Sequence, residues 1–442
     1  MARDDAAEAG SDEPPRFPSF REAVRFWLKL GLISFGGPAG QIAIMNRELV
    51  ETKRWISSRH FLNALNFCML LPGPEAQQLA TYLGWRLHGA RGGIAAGALF
   101  VLPSMAILFG LSWLYMAGGE LAWIDAIFHG LMPAVVALIA DAVLRLGGKA
   151  LRSRTLIALA AGAFVAIYIF GVSFVLIVLG AGLLGGIGHR FFPNQFPAMG
   201  VHGKHGVGEE AVCAVLPAMP ESSWKRTCGV LALCLMLWWV PIFAVAGLLG
   251  WQSAAAQQGL FFSKAAMVTF GGAYAVLPYV AQQAVETHQW LSHPQMMAGL
   301  ALAETTPGPL IIVLQFVGFV GGWQHPGGLD PMLSATVCAL LTTWVTFLPS
   351  FLFIFLGGPF VEKIGSMPRL SAALTAITAA VVGVILNLGV QFSTHAIWVD
   401  GEIDWFAGVM AIFAFVALRV FKIGIIPVMA VCAVSGLALL WM

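Results

Sequence analysis

Long apolar runs, separated by short polar segments, dominate the pattern of this chain. Nine of these runs reach or approach the length that a helix needs to cross a bilayer. They cover residues 93–116, 126–144, 155–170, 172–187, 229–250, 332–356, 371–391, 405–418 and 423–442. The pattern therefore predicts an all-α polytopic membrane protein.

Four further apolar segments are interrupted near their middles. Residues 26–46, 61–84, 264–284 and 295–320 each contain Gly-Gly, Gly-Gly-Pro or Pro-Gly-Pro, which end one helix and begin another. Irregular backbone is tolerated at membrane depth only where it is buried in protein or lines a cavity. We therefore predict that each segment is a broken, re-entrant helical hairpin. An amphipathic helix from Phe20 leads into the first of them.

The chain contains an internal repeat. The segment from Lys29 to Pro74 recurs without a gap as Lys264 to Pro309, 235 positions later. After small slips in register, the pairing extends to residues 163–166 and 414–417, so the repeat covers nearly the whole chain. We predict two homologous halves, each with two broken hairpins and several full transmembrane helices.

The repeat and the composition together divide the chain into segments. Residues 1–19 are polar, acidic and proline-bearing, which is typical of a disordered tail. We expect an N-terminal transporter repeat at 20–187, a cytoplasmic linker at 188–228, a linking transmembrane helix at 229–250 and a C-terminal inverted repeat at 251–442. His202 and His205 in the linker supply two metal ligands at most, so we predict no metal site there.

Equivalent loops of the two copies carry opposite charge. The loop at 47–59 has four basic residues, whereas its partner at 282–294 has no Lys or Arg. Conversely, the acidic loop around Glu120 pairs with the basic loop at 357–370. Because Lys and Arg mark cytoplasmic loops, the halves are predicted to lie antiparallel, as an inverted-topology repeat. Nine full crossings then leave the N-terminus in the cytoplasm and the C-terminus outside.

Composition excludes several classes of protein. The chain is 59% hydrophobic and 10% charged, with a mean hydropathy of +0.82, which rules out an ordinary soluble protein. The six cysteines are scattered and mostly lie in apolar runs, as expected of core thiols. The broken hairpins hold no Ser/His/Asp or His/Cys/Glu group. We therefore expect no enzyme activity, no cofactor, no metal and no nucleic-acid partner.

The hairpin breaks have the chemistry of an anion site. A helix that starts after a break presents unpaired N–H groups and a positive dipole end. Four such ends, two from each copy, would meet near the membrane midplane. The residues predicted to bind substrate are Lys29, Ser34, Phe35, Gly36, Gly37, Pro38, Gln41, Pro72, Gly73, Pro74, Gln77 and Gln78 in the first copy, and Lys264, Thr269, Gly271, Gly272, Tyr274, Thr305, Thr306, Pro307, Gly308 and Pro309 in the second.

Purely structural roles for the same residues remain open. Gly and Pro breaks also occur as simple kinks or packing sites in membrane helices, and Lys29 could reach the interface as an anchor. Glu75 could only compensate the dipole of the helix that follows it. Glu304 has Met69 as its counterpart, and this asymmetry makes it the stronger candidate, ahead of Glu75, for a proton-coupling group.

The break motifs resemble those of the chromate ion transporter family. The similar stretches are Ser34–Pro38 with Gln41, Leu71–Gln78, Thr269–Tyr274 and Thr306–Pro309. They occur in both halves, as in the long, two-domain members of that family. The resemblance implies export of chromate from the cytoplasm across a bacterial inner membrane, with sulfate as the structural analogue, and chromate resistance as the result.

Alternatives to this function remain on sequence grounds. A permease that imports sulfate or another small oxyanion would share the same anion site. Partners of the chain are then the oxyanion and the lipid bilayer, and the sequence leaves a homodimer open. The driving force is expected to be the membrane potential, with proton antiport as an additional option.

Overall fold

The computed structural model describes residues 17–35, 37–118, 121–196, 223–361, 368–399 and 401–441. The greater part of the predicted disordered tail and linker, with His202 and His205, lies outside these residues. Within them the chain is almost entirely helical, and its one small sheet is an antiparallel pair, β1 (Trp398–Val399) and β2 (Glu402–Ile403). The prediction of an all-α membrane protein is confirmed.

The first copy forms seven helices. They are α1 (Phe20–Ile33), α2 (Gly37–Asn46), α3 (Ser58–Cys68), α4 (Glu75–Ala117), α5 (Ala122–Ala150), α6 (Arg154–Tyr168) and α7 (Phe174–Phe191). A π-helical turn, Arg47–Thr52, extends α2. Ser19 caps α1 through a reciprocal pair of hydrogen bonds with Glu22, which explains why this helix starts where the amphipathic pattern begins.

The linking helix and the second copy follow in the same order. The helices are α8 (Trp224–Leu249), α9 (Ala254–Val268), α10 (Ala273–Ala281), α11 (His293–Thr305), α12 (Val313–Gln324), α13 (Pro331–Gly357), α14 (Pro368–Ile397), α15 (Trp405–Arg419) and α16 (Ile425–Leu439). The 3-10 turn Leu310–Ile312 precedes α12, and another, Gly358–Phe360, follows α13. A π-helical turn, Gln282–Thr287, extends α10 at the position equivalent to that in the first copy.

All nine predicted apolar runs fall in helices, and all four predicted breaks interrupt them. By length and composition, six helices among the described residues are able to span a membrane, namely α4, α5, α7, α8, α13 and α14. α4 contains non-helical backbone at His88 and Gly89, which divides a short hairpin arm from the long crossing that follows. Cys228 is exposed, so the interpretation of every cysteine as a core thiol was wrong for that residue.

The two copies pack into each other rather than side by side. α5 of the first copy lies against α14, α15 and α16 of the second, and α14 lies against α6 and α7 of the first. Gly130 on α5 and Gly436 on α16 bring the two backbones together, and Gly185 on α7 meets Ala376 on α14 at the equivalent position. The hairpin breaks of the two copies are also in direct contact with each other.

Candidate functional site

The breaks of the two copies are joined by a pair of crossed hydrogen bonds. The Gly73 N–H donates to the Thr269 carbonyl, and the Gly308 N–H donates to the Ser34 carbonyl, both at 2.8 Å. Gly73 and Gly308 are equivalent in the repeat, as are Ser34 and Thr269. The site therefore has local two-fold pseudosymmetry, with each Pro-Gly-Pro tip bound to the first break of the other copy.

At both tips the backbone conformation favours glycine, and the neighbouring atoms leave no room for a larger side chain. Gly73 has φ 120° and Gly308 has φ 111°, in a region that favours glycine. A Cβ on Gly73 would lie 2.9 Å from the Ser350 Oγ, and one on Gly308 would lie 2.5 Å from the Ser104 Oγ. Ser104 and Ser350 are themselves equivalent in the two copies, so the close packing is symmetric as well.

The other two helix starts are more open. α2 begins at Gly37 (φ 71°), and Gly272 (φ 93°) is the N-cap of α10. A Cβ at either position would meet no atom of the described residues within 4 Å. In contrast, the N–H groups of Gly73 and Gly308, which we expected to face an anion, are used in the crossed bonds. The starts of α2 and α10 thus have room beside their glycines, although Gly37 is half-buried and Gly272 is buried.

The hydroxyl groups near the breaks donate within their own helices. The Ser34 Oγ donates to the Leu30 carbonyl and the Thr269 Oγ1 donates to the Ala265 carbonyl, each at 2.6 Å. Thr306 donates to the Leu302 carbonyl at 2.6 Å, and Thr305 likewise donates to the backbone of its helix. These hydroxyl protons support the ends of α1, α9 and α11, and their second role as substrate donors stays a prediction.

Three buried glutamines follow the breaks of the first copy, Gln41 in α2 and Gln77 and Gln78 at the start of α4, and each has an unpaired amide atom. The Gln41 Nε2 donates to the Gly308 carbonyl at 2.5 Å, and the Gln78 Nε2 donates to the Pro72 carbonyl at 2.7 Å. The Oε1 atoms of both, and both amide atoms of Gln77, have no hydrogen-bond partner among the described residues. All three side chains are 0% exposed.

Unpaired buried amides are costly, and a polar ligand could satisfy them. Each unpaired group costs about 1–3 kcal/mol of stability unless something binds to it. The positions equivalent to the glutamines are Val276, Ile312 and Val313, so the second copy has no matching set. The repeat provides a symmetric scaffold, but the polar centre occurs once.

A second asymmetric feature lies on the other tip. The Tyr274 hydroxyl donates to the Glu304 carboxylate, and Glu304 is buried. The equivalent residues of the first copy, Ala39 and Met69, are apolar. Glu75, by contrast, is half-buried and begins α4 directly after the first tip. Both proton-coupling candidates thus lie next to a Pro-Gly-Pro tip.

The two lysines lie on exposed helix faces. Lys29 shares its face of α1 with Leu28 and Leu32, which are 42% and 48% exposed. Lys264 on α9 is exposed and lies near His288, in the loop after α10, where burial and this lysine lower the histidine pKa. An exposed apolar face fits an interfacial anchor, the alternative left open by the sequence.

The remaining predicted residues form the backbone of the breaks. Phe35, Pro72, Pro74, Gly271, Pro307 and Pro309 lie between the helix ends, Pro38 is the second residue of α2, and Gly36 is outside the described residues. Sequence reasoning missed Ser104 and Ser350, which pack on the tip glycines. It also missed the ion pairs of Asp141, whose carboxylate lies 2.8 Å from the Arg145 Nε and 3.5 Å from Arg419. The sequence signal for the Asp141–Arg145 pair was an acid and a base four residues apart, whereas the Arg419 contact had no local signal.

Comparison with known proteins identifies a family. The chromate transporter family model matches residues 21–186 and 256–437, one match in each half. A chromate transport protein of Pseudomonas aeruginosa is 34% identical over 86% of this chain and 82% of its own length. One of Cupriavidus metallidurans is 29% identical, over 89% and 87% respectively.

Two further comparisons complete this picture. A probable chromate transport protein of Synechococcus elongatus is 30% identical over 83% of each chain. No solved structure matches the chain significantly. The two family matches fall on the two structural halves, in the long-chain form that the break motifs predicted. The protein belongs to the chromate transporter family and is a multi-pass membrane protein of that family.

Proposed function

We propose that this protein exports chromate from the cytoplasm across the bacterial inner membrane, with sulfate as a competing analogue, and so gives chromate resistance. The proposal rests on family membership and on relatives whose names specify chromate transport. The observation that favours a small polar substrate most strongly is the fully buried Gln77 amide, neither atom of which has a hydrogen-bond partner among the described residues.

The same site has suitable groups for an oxyanion. The unpaired Gln77 Nε2 and the N-termini of α2 and α10 are neutral donors, and chromate and sulfate present four oxygen acceptors to them. The unpaired Oε1 atoms of Gln41 and Gln78 are acceptors and do not bind an oxyanion directly. Neutral donors hold a dianion without forming a permanent ion pair. Substrate release on the far side is then not opposed by a strong fixed charge.

Energetics favour export. Moving one charge through the membrane potential is worth about 2.3 kcal/mol per 100 mV, so an outgoing dianion gains about 4.6 kcal/mol per 100 mV in an inside-negative cell. At about 1.4 kcal/mol per decade, this supports a gradient of more than about a thousandfold. Transport driven by potential alone is therefore sufficient, and proton antiport through Glu304 or Glu75 would add to it.

An importer of sulfate is the second candidate, since it would use the same donors. It would need coupling to a cation to oppose the potential. Transport into membrane vesicles of known orientation distinguishes the exporter from the importer. We expect labelled chromate to accumulate in inverted membrane vesicles under an inside-positive potential, above vesicles that lack the protein. Accumulation confined to right-side-out vesicles, and dependent on an imposed cation gradient, would establish the importer instead.

A further inference from the structure

One side of α1 changes from basic to apolar along its length. It is formed by Arg21, Arg25, Leu28 and Leu32, which follow each other at intervals of four, three and four residues and so share one face of the helix. All four are exposed, the two leucines by 42% and 48%. Lys29 lies at the edge of this side, which we call the outer face.

The arginines of the outer face have no partner within the described part of the chain. Neither Arg21 nor Arg25 forms an ion pair or a side-chain hydrogen bond with another described residue. Like charges one helical turn apart repel each other, and an anion that binds both relieves this repulsion. The outer face therefore has the charge of an anion-binding surface.

α1 runs alongside the long crossing of α4 and in the same direction. Near the start of α1, the rings of Phe20 and His88 lie 5.5 Å apart. Eleven residues further along both helices, a Cβ on Gly31 would clash with the Leu99 carbonyl. The two helices thus stay side by side over about 16 Å. Because α4 is long and apolar enough to span the membrane, α1 enters the membrane beside it.

The change from basic to apolar matches the cross-section of one lipid leaflet. The sequence predicts that the break after Ser34 lies near the membrane midplane and that the start of α1 faces the cytoplasm. Ten residues of helix, about 15 Å, separate Ser34 from Val24, which is half of a hydrocarbon core roughly 30 Å thick. Arg21 and Arg25 then lie at the level of the lipid headgroups, and the two leucines lie at the level of the acyl chains.

The equivalent side of α9 is uncharged and is covered by another helix. With the shift of 235 positions, the residues equivalent to the outer face are Ala256, Leu260, Ser263 and Met267. α8 packs against this side of α9, where the Trp238 Nε1 donates to the Ser263 Oγ at 2.9 Å. Ala256 is 0% exposed.

The outer face of α1 has no such cover. Among the described elements, the extensive contacts of α1 are those with α4. A position that a helix fills in the second copy is therefore open in the first copy, where it carries two additional cations.

We propose that the outer face of α1 binds an anionic phospholipid of the cytoplasmic leaflet, with its phosphate at Arg21 and Arg25 and its acyl chains along Leu28 and Leu32. Guanidinium groups match phosphate oxygens in pairs, and the cytoplasmic leaflet carries the negative surface potential. A free oxyanion would gain nothing from the leucines. A second copy of the chain, related by a two-fold axis, would bring the same cations together. The assignment does not depend on chromate as the substrate.

Lipid binding to the purified full-length protein, measured by native mass spectrometry in detergent, tests this assignment. The protein is titrated with phosphatidylglycerol and, separately, with phosphatidylcholine of the same acyl chains. We expect wild type to bind phosphatidylglycerol more tightly. Arg21→Gln and Arg25→Gln should each weaken phosphatidylglycerol binding about 5-fold and together about 30-fold, the effect of one and two basic residues at an anionic surface. Binding of phosphatidylcholine should not change.

Two control variants separate headgroup recognition from general effects of charge and packing. Arg47→Gln combined with Arg59→Gln removes the same number of exposed charges outside α1, and it should bind phosphatidylglycerol like wild type. Leu28→Ser introduces the residue of the second copy, and it should weaken the binding of both lipids. All of these residues are exposed, so each variant should unfold at the wild-type temperature.

The other outcomes would overturn the proposal. One is wild-type affinity for phosphatidylglycerol in the variant that lacks both Arg21 and Arg25, and another is equal affinity of wild type for the two lipids. A lipid-free dimer that forms in wild type but not in this variant would assign the outer face to a second copy. Loss of chromate binding with unchanged lipid binding would make the arginines an entry site for the substrate. Expected lipid binding by a protein that binds no chromate would overturn the proposed function alone.

Discussion

Gly308→Ala is the substitution whose effect the structure predicts most fully. An alanine at φ 111° is strained by about 1–3 kcal/mol. Its Cβ would lie 2.5 Å from the Ser104 Oγ, and such overpacking adds about 1–3 kcal/mol. Relief of either strain would pull the Gly308 N–H away from the Ser34 carbonyl. We therefore expect a total loss of stability of about 2–6 kcal/mol.

Gly37→Ala is the matched control, since its backbone is also left-handed but its Cβ would meet nothing within 4 Å. We expect Gly37→Ala to lose only the stability that backbone strain costs, about 1–3 kcal/mol. Adding Ser104→Gly to Gly308→Ala should recover the stability lost to overpacking. Ser104→Gly alone completes the double-mutant cycle. The assay is the thermal unfolding midpoint of each variant in detergent. Equal midpoints for Gly308→Ala and Gly37→Ala, or no recovery in the double variant, would refute the packing argument.

Three further predictions concern topology, coupling and the lysines. Single cysteines at Arg59 and Pro294, equivalent exposed positions of the two copies, should differ in labelling by an impermeant thiol reagent added outside; labelling of both or neither contradicts inversion. Glu304→Gln should abolish acceleration of transport by a pH gradient and retain potential-driven transport, whereas unchanged pH dependence points to Glu75 or to no coupling. Because both lysines lie on exposed helix faces, Lys29→Met and Lys264→Met should bind chromate like wild type, and a loss of roughly 10- to 100-fold would show instead that they reach the site. Wild-type affinity in both identifies them as anchors.

The repeat made the architecture predictable from the sequence. Gly and Pro end helices for local reasons, so the breaks after Ser34 and Thr269 and at the two Pro-Gly-Pro tips were visible in the chain itself. The apolar runs likewise became helices because a bilayer needs long apolar segments. The positive φ of Gly73 and Gly308 follows from the same local signals.

The contacts between the two copies could not be predicted from the sequence. Each crossed hydrogen bond joins residues far apart in the chain, and no local pattern specifies that Gly73 binds Thr269. The spacing of Lys29 along α1 gave its distance from the break but not the rotation of the helix, which turns this side chain outward. The ion pair between Asp141 on α5 and Arg419 on α15 was likewise not visible in the sequence, because it depends on how α5 packs within the other copy.

The central claim is that the oxyanion crosses the protein at the glutamine amides of the crossed tips. Its most direct test is chromate flux into proteoliposomes under an inside-positive potential, with Gln77→Leu compared with Gln258→Leu. Gln258 on α9 is the matched control, because it is also fully buried and both of its amide atoms have no partner among the described residues. It lies 11 residues before Thr269, about 16 Å along a helix. The account predicts that Gln77→Leu abolishes chromate flux while Gln258→Leu retains it, and equal flux in the two variants would contradict the account.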